Sequence, residues 1–369
     1  MGAPANARSI ARLRVRALLY ARSWLGPVLA GAGLYAEGIW CWALPVFGFV
    51  VIPVLEAVVP PDRSGLNETE VALALREPLF DILLYLMVPM FWGLTFWYAW
   101  RIVQPDQPII DVMGRILTMG TLCGVYGINV AHELGHRVKR GERIMARMLL
   151  VPALYTHFIV EHNHGHHRHV GTPRDPASAR FGEPLPYFWF RSIVGSFRSA
   201  WAIERARLER IGIATWSARN GVLAGLAWEA SFLSIVLLLF GPMALLAVLA
   251  EALLGILLLE TINYIEHYGL QRAEKPGGGY VRVQHVHSWN SDHVLGRVVL
   301  FELTRHSDHH YKASLKYQAL NTHPEAPQLP AGYPAMVLLA LVPPLWRRVM
   351  DPRVRAAVAG SPACDIALP

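Results

Sequence analysis

Residues 221–267 read GVLAGLAWEASFLSIVLLLFGPMALLAVLAEALLGILLLETINYIEH, and this stretch decides the fold. It is apolar apart from a few isolated polar residues, and the turn signal Phe240-Gly241-Pro242 divides it into two runs. Each run has about the 20 residues that an α-helix needs to cross the hydrocarbon core of a bilayer. The sequence therefore predicts two membrane-spanning helices that form a tight hairpin.

Further apolar segments of similar length lie on the N-terminal side of this hairpin. Three are clear, and a fourth contains Arg22 in its first turns, where a long side chain can reach the membrane interface. The chain is 53% hydrophobic and only 17% charged, which excludes a freely soluble domain and a disordered chain. We therefore predict an all-α polytopic membrane protein with six transmembrane helices in three hairpins, at residues 18–35, 40–59, 79–100, 109–131, 221–240 and 243–266.

Two shorter apolar segments are predicted not to cross the membrane. Segment 144–160 contains Arg147, and segment 333–346 is ended early by Pro343-Pro344. Both are expected to form buried or interfacial helices.

The positions of the basic residues indicate how the helices are oriented. Segment 132–220 holds fourteen Lys and Arg residues, whereas the predicted external loops hold only Arg101. The N-terminus holds four more, Arg8, Arg12, Arg14 and Arg16. Since basic loops stay on the cytoplasmic side, segments 132–220 and 267–350 are expected to form a helical cytoplasmic cap on a single domain, 1–369, in the bacterial inner membrane. The net charge of +7 is thus an orientation signal and not evidence for nucleic-acid binding.

Nine of the sixteen histidines lie in motifs with the spacing of metal ligands. The motifs are HELGH, HNHGHH, HSDHH and NYIEHYG, and the histidines with this spacing are His132, His136, His162, His166, His167, His306, His309, His310 and His267. Residues three or four apart share a helix face, and an adjacent histidine is rotated by about 100° towards a second site. Because zinc takes only three or four protein ligands, nine histidines predict two metal ions with four or five ligands each. An all-nitrogen set with open positions favours redox iron.

The remaining histidines lack matched spacing and are predicted to have surface or supporting roles. They are His157, His164, His169, His285, His287, His293 and His323. Carboxylates beside the motifs are candidates for orienting ligand rings through the second ring nitrogen; a salt bridge to the Arg-rich loops is the alternative. The candidates are Glu133, Glu161, Glu266 and Asp308, joined by Asn263 and Glu260 on the helix face of His267. Glu229 and Glu251 also lie in predicted spans, and the sequence assigns no function to either.

Two other functions fit parts of the pattern. HELGH satisfies the HExxH signature of zinc proteases, with Glu133 as general base, but this leaves seven motif histidines unexplained. A metal transporter would hold its ligands at mid-membrane, whereas these histidines lie at or beyond helix ends. The three cysteines, Cys41, Cys123 and Cys364, are far apart and there is no GxGxxG fingerprint, so electrons are expected to come from separate proteins.

Taken together, HELGH, EHNHGHH, LTRHSDHH and NYIEHYGL resemble the motifs of the integral-membrane alkane 1-monooxygenases. The resemblance extends to TPRDPASARFGE at 172–183, HSWNSDH at 287–293 and LPAGYPAMVLLALVPPLW near the C-terminus, and it covers residues 80–350. Fatty-acyl desaturases and xylene-type aryl-methyl hydroxylases share a looser version of the histidine pattern and are the alternatives. The resemblance implies a six-helix domain with a cytoplasmic centre of two non-haem iron ions and the nine histidines as ligands.

The resemblance also implies a reaction. Medium- or long-chain n-alkanes from the membrane lipid would be hydroxylated at the terminal carbon, by hydrogen abstraction and oxygen rebound. O2 would be the co-substrate, and rubredoxin, reduced by an NAD(P)H-dependent reductase, would supply two electrons. A bulky side chain on the second span is thought to limit channel depth in the family. The aligned position here is Gly48, whose alternative role is close helix packing.

Overall fold

The computed structural model describes residues 7–368, and the side chains of residues 13–368. Arg8 and Arg12, which contribute to the predicted orientation, lie outside the described side chains. The described chain is helical apart from one antiparallel sheet of two strands, which confirms the all-α class.

The elements, in chain order, are as follows. The helices are α1 (Ala7–Tyr20), α2 (Leu25–Tyr35), α3 (Gly38–Glu56), α4 (Glu68–Ala74), α5 (Pro78–Ile102), α6 (Ile109–Gly135), α7 (Arg140–Leu150), α8 (158–169), α9 (Leu185–Arg210), α10 (Gly221–Phe240), α11 (Pro242–His267), α12 (Val294–Val299), α13 (His306–Tyr311), α14 (Tyr333–Ala340) and α15 (Pro343–Ala359). The strands are β1 (Leu270–Arg272) and β2 (Cys364–Ile366).

Within the described residues, five helices are long and apolar enough to cross a membrane: α3, α5, α6, α10 and α11. Their bounds agree with five of the predicted spans to within a few residues, so the chain is a multi-pass membrane protein. The predicted first span, 18–35, instead comprises the end of α1, a 3-10 turn at Ala21–Trp24 and the eleven-residue α2. The six-span topology therefore stays a prediction.

The predicted hairpin between α10 and α11 is confirmed. Gly241 has a φ of 84°, a conformation that glycine adopts without steric cost, and Pro242 occupies the first turn of α11. Neither of the two shorter apolar segments forms a long helix. The first is divided between α7 and a helix that begins at Phe158, and α14 has only eight residues.

Glycines on α6 and α11 allow these two helices to pack closely. A Cβ atom at Gly120 would lie 2.5 Å from the Cβ of Leu254, and one at Gly124 would lie 3.0 Å from a methyl carbon of Leu258. Small residues let helix backbones approach in this way. Since the contacts advance in the same order along both helices, α6 and α11 run parallel, and His132 and His267 reach the same end of the bundle.

The segments that follow α6 and α11 pack around this end. Trp346 of α15 lies 5.1 Å, centroid to centroid, from Tyr264 and 5.2 Å from Tyr268, where α11 ends. The strand after α11, β1, pairs with β2 near the C-terminus. These contacts hold the C-terminal helix and strand against the end of α11 that carries His267.

Candidate metal centre

Five of the nine motif histidines form one group, which we call the five-histidine group: His132, His136, His162, His167 and His309. One ring nitrogen from each lies within 4.8 Å of the others. The Nε2 atoms of His132 and His309 are 3.0 Å apart, and those of His162 and His167 are also 3.0 Å apart. The end of α6, α8 and α13 all contribute to this group.

The other four motif histidines form the four-histidine group: His166, His267, His306 and His310. The Nε2 atom of His306 lies 3.1 Å from that of His267 and 2.9 Å from that of His310. The two groups adjoin, since the ring centroids of His167 and His310 are 4.4 Å apart. The structure thus brings all nine residues into one compact site of two parts.

The division within HNHGHH differs from the one that α-helical spacing predicts. His162 shares a group with His167 and not with His166, because residues 162–166 form a π-helical turn. A wider turn places residues five apart on one face, and π turns are frequent at functional sites. In HSDHH, His306 shares a group with His310, four residues further on, as α-helical spacing predicts, and His309 joins the other group. In both motifs the two adjacent histidines belong to different groups.

Burial favours the neutral form of motif imidazoles in both groups. Burial and the neighbouring imidazoles lower the pKa of His162 and His167 in the five-histidine group well below the ordinary value. The same causes lower the pKa of His306 and His310 in the four-histidine group. Neutral imidazole is the form that binds a metal. Imidazole donors fit redox-active iron better than a hard cation such as magnesium.

Asp175 orients one of these rings and was not singled out from the sequence. Its Oδ2 atom lies 2.8 Å from Nδ1 of His166, and the same carboxylate accepts hydrogen bonds from the Ser178 hydroxyl and the Ala177 N–H. Burial opposes protonation of His166, but the Asp175 carboxylate raises the pKa of that ring above its ordinary value. A carboxylate behind a ligand histidine fixes its tautomer and orientation.

Glu266 faces the centre more directly than the sequence suggested. Its Oε2 atom lies 3.2 Å from Nε2 of His306, the nitrogen directed at the other members of the four-histidine group. The hydroxyl of Tyr333 donates a hydrogen bond of 2.9 Å to Oε1. Glu266 therefore lies beside the donor atoms, where it can act as an oxygen ligand, and does not orient His306 through its second nitrogen.

The other predicted orienting residues bond elsewhere, which corrects the expectation for them. The Glu133 carboxylate pairs with the guanidinium group of Arg137, four residues further along, and 2.6 Å separates its Oε1 atom from Nη2. Glu161 accepts a hydrogen bond from Ser199, Asn263 donates one to Glu260, and Asp308 accepts one from the N–H of Asn321. Among the described residues, these four make no hydrogen bond to the nine histidines because their positions on the helices direct them to other neighbours.

Three other buried glutamates of the membrane helices, Glu229, Glu251 and Glu260, make no hydrogen bond to the nine histidines among the described residues. Glu229 accepts two hydrogen bonds of 2.7 Å from Thr156, through its N–H and its hydroxyl. Glu260 accepts hydrogen bonds from Tyr155, Ser192 and Asn263. The carboxylate oxygens of Glu251 have no hydrogen-bond partner among the described residues.

Seven histidines lie outside the two groups. They are His157, His164, His169, His285, His287, His293 and His323. His287 bonds the backbone oxygen of Ala363 at 2.7 Å and so serves the packing of the C-terminal segment. His285 and His323 form a separate cluster with Glu325.

An apolar pocket approaches the centre from within the membrane helices. Gly48 and Val125 line one part of it, and Asn129, Ile262 and Tyr333 line the part nearest the histidines. Asn129 lies about one helical turn before His132, and Ile262 about one turn before Glu266. A Cβ atom at Gly48 would meet no atom within 4 Å, so this glycine leaves space open and is not required for a close helix contact.

Comparison with known proteins agrees with this geometry. The fatty acid desaturase family model matches residues 111–339. The chain is 37% identical to the alkane 1-monooxygenase of Acinetobacter baylyi over 310 residues, which are 84% of this chain and 76% of that protein. It is 40% identical to alkane 1-monooxygenase 1 of Pseudomonas aeruginosa, over 87% of this chain and 85% of that protein. The hydroxylase component of the xylene/toluene monooxygenase of Pseudomonas putida is 30% identical, over 90% of this chain and 89% of that protein.

These relatives remove the zinc-protease and transporter hypotheses, because HELGH supplies only two of nine grouped histidines and the relatives are oxygenases. Two adjoining clusters of imidazoles at the end of an apolar pocket suit an oxidoreductase with a non-haem metal centre. The chain belongs to the alkane 1-monooxygenase family, within the wider fatty acid desaturase family.

Proposed function

We propose that this protein hydroxylates the terminal carbon of medium- and long-chain n-alkanes to give primary alcohols, using O2 and two electrons. The observation that carries the proposal is the apolar pocket whose inner end reaches Tyr333, which bonds Glu266 beside His306. A hydrocarbon has no polar group to bind, so shape and apolar contact must position it. The pocket offers that surface and ends where the metal-binding groups begin.

The two histidine groups would hold two iron ions. The five-histidine group would bind one, and the four-histidine group with the Glu266 carboxylate would bind the other. Iron supplies the activation of O2 that an unactivated C–H bond requires, while the protein positions the substrate and excludes side reactions. Asp175 holds the ring of His166, and Tyr333 holds the Glu266 carboxylate in place.

The pocket residues determine which carbon reacts. An alkane that enters between the membrane helices gains little from leaving lipid, because both surroundings are apolar. Its register is therefore set by the depth of the pocket. Apolar residues such as Val125 and Ile262 keep water away from the chain, so the terminal carbon is presented next to the centre.

The topology proposed for this activity is a single domain, 1–369, with six membrane helices and the histidine cap on the cytoplasmic side of the inner membrane. The helical segment 7–35 supports a sixth span, since α2 continues from α1 through a 3-10 turn. The fourteen basic residues of segment 132–220 support the orientation.

A separate rubredoxin is proposed as the electron donor, with an NAD(P)H-dependent rubredoxin reductase upstream. Arg168, in α8, and Arg174, in the loop that follows, are both exposed. They lie close in sequence to His167, a partly buried member of the five-histidine group. Exposed basic residues beside a redox centre favour association with an acidic carrier. The three cysteines are scattered and buried, which supports an external donor.

The decisive experiment is product analysis with the full-length protein in detergent or membranes. Octane through hexadecane are supplied with rubredoxin, its reductase, NADH and ¹⁸O-labelled O2. We expect 1-alkanols that carry one labelled oxygen, and no product when rubredoxin is omitted. Unsaturated acyl chains from a fatty-acyl substrate, or benzylic alcohol from xylene, in the absence of any 1-alkanol, would support the desaturase or the aryl-methyl hydroxylase instead.

Replacing Gly48 by tryptophan is expected to shorten the accepted alkanes. The indole would fill the space that lies open at this position, so turnover of hexadecane should fall by about tenfold or more relative to octane. Product amounts across the chain-length series measure the effect. Gly93→Trp is the matched control, because Gly93 is also an open glycine on a membrane helix but does not line the pocket. An unchanged chain-length profile in Gly48→Trp would exclude the proposed channel.

A further inference from the structure

A third cluster of metal-binding side chains lies outside the centre. His285, His323 and Glu325 each offer one ligand atom, and these atoms all lie within 4.8 Å of one another. Nδ1 of His285 is 3.0 Å from a carboxylate oxygen of Glu325. The two imidazoles are stacked, with centroids 3.7 Å apart and planes 15° apart. Neither histidine belongs to the nine that the proposed function uses.

Asp308 lies behind this cluster and faces both rings. Its Oδ1 atom is 3.1 Å from Nε2 of His323 and 3.5 Å from Nε2 of His285. The N–H of Asn321 donates a hydrogen bond of 2.9 Å to the other carboxylate oxygen, which fixes the side chain. A carboxylate behind histidine rings is the arrangement that orients imidazole ligands in metal sites. Asp308 thus has the orienting role predicted from the sequence, but towards different histidines.

Tyr311 also packs against the His285 ring. The ring of Tyr311 stacks on that of His285 with centroids 4.4 Å apart. His285 is buried, whereas His323 is partly exposed and Glu325 is exposed. The cluster therefore has a fixed, buried side and an open side where an ion can enter and retain water.

We propose that His285, His323 and Glu325 form a third metal site, which binds a divalent first-row transition ion, with Zn²⁺ as the best match. Two imidazoles and one carboxylate are a ligand set that zinc uses with water in the remaining position. The two carboxylates, Asp308 and Glu325, balance the charge of a divalent cation beside two neutral rings. An ion here would tie segments 285–287 and 323–325 to α13, the helix that carries His306, His309 and His310.

The test measures metal content and not turnover. The full-length protein is loaded with iron, incubated with micromolar Zn²⁺, passed through a desalting column and analysed for both elements. We expect about one zinc ion per chain in addition to the iron. Glu325→Gln and His323→Asn should each lower zinc affinity by at least about tenfold while the iron content stays unchanged. Glu325 is exposed, so its substitution leaves the packing intact.

Glu274→Gln is the matched control, because Glu274 is also an exposed carboxylate of the cap but lies outside the cluster. It should bind zinc like the unchanged protein. The proposal is overturned if the unchanged protein takes up no zinc beyond its iron, or if both variants take up as much zinc as the control. It is also overturned if iron falls as zinc rises, since zinc would then occupy the nine-histidine centre.

Discussion

Substitution of either His309 or His310 by asparagine is expected to abolish alkane hydroxylation, and each substitution should remove iron from a different group. Nε2 of His309 lies 3.0 Å from that of His132, whereas Nε2 of His310 lies 2.9 Å from that of His306. These adjacent residues therefore serve different groups. Each substitution removes a donor atom itself, so activity should fall by more than the roughly 10–100-fold that loss of an outer partner costs.

Each variant should lose iron from one group only. His309→Asn alters the five-histidine group, and His310→Asn alters the four-histidine group, so the other group keeps its full set of donors in each variant. We therefore expect each purified variant to retain iron in the unaltered group and to lose it from the altered one, which elemental analysis checks. His164→Asn is the control, because His164 lies in the same π turn as His162 but is exposed and belongs to neither group. Full iron and full activity in both test variants would contradict the proposed ligand set.

The membrane helices were predictable because burial in lipid demands long apolar runs, and such runs are visible in any single sequence. The hairpin at Gly241 could be located because glycine and proline mark the turn directly. Segment 18–35 does not form one continuous α-helix, since a 3-10 turn that contains Arg22 separates α1 from α2. Its apolar length alone does not reveal this change in helix type.

The nine histidines could be identified because their motifs are dense and specific, but their division into groups could not. That division depends on the π turn at His162–His166, which changes the rotation per residue without a signal in the spacing. The supporting residues were harder still. Glu133 and Asp308 adjoin motif histidines in sequence, yet they bond Arg137 and Asn321, respectively. Asp175 lies nine residues beyond His166, in a loop where no helical periodicity applies.

Asp175 is for this reason the most informative residue to substitute among those that do not bind the metal directly. Asp175→Asn keeps the shape of the side chain and removes its charge, so the ring of His166 loses the carboxylate that fixes its tautomer. We expect iron affinity and alkane turnover to fall by roughly 10–100-fold. Since the carboxylate also accepts hydrogen bonds from Ser178 and Ala177, a purely structural loss must be separated from a loss of orientation.

Two measurements make this separation. Asp351→Asn removes a carboxylate that accepts a hydrogen bond of 2.7 Å from Tyr268, directly after His267, but contacts none of the nine histidines. It should therefore leave iron affinity unchanged, even if the melting temperature falls. Asp175→Glu restores the charge and should recover part of the iron affinity, which a structural role alone would not explain. If Asp175→Asn binds iron as tightly as the unchanged protein, His166 does not need this partner to bind iron, and the proposed orienting role of Asp175 is wrong.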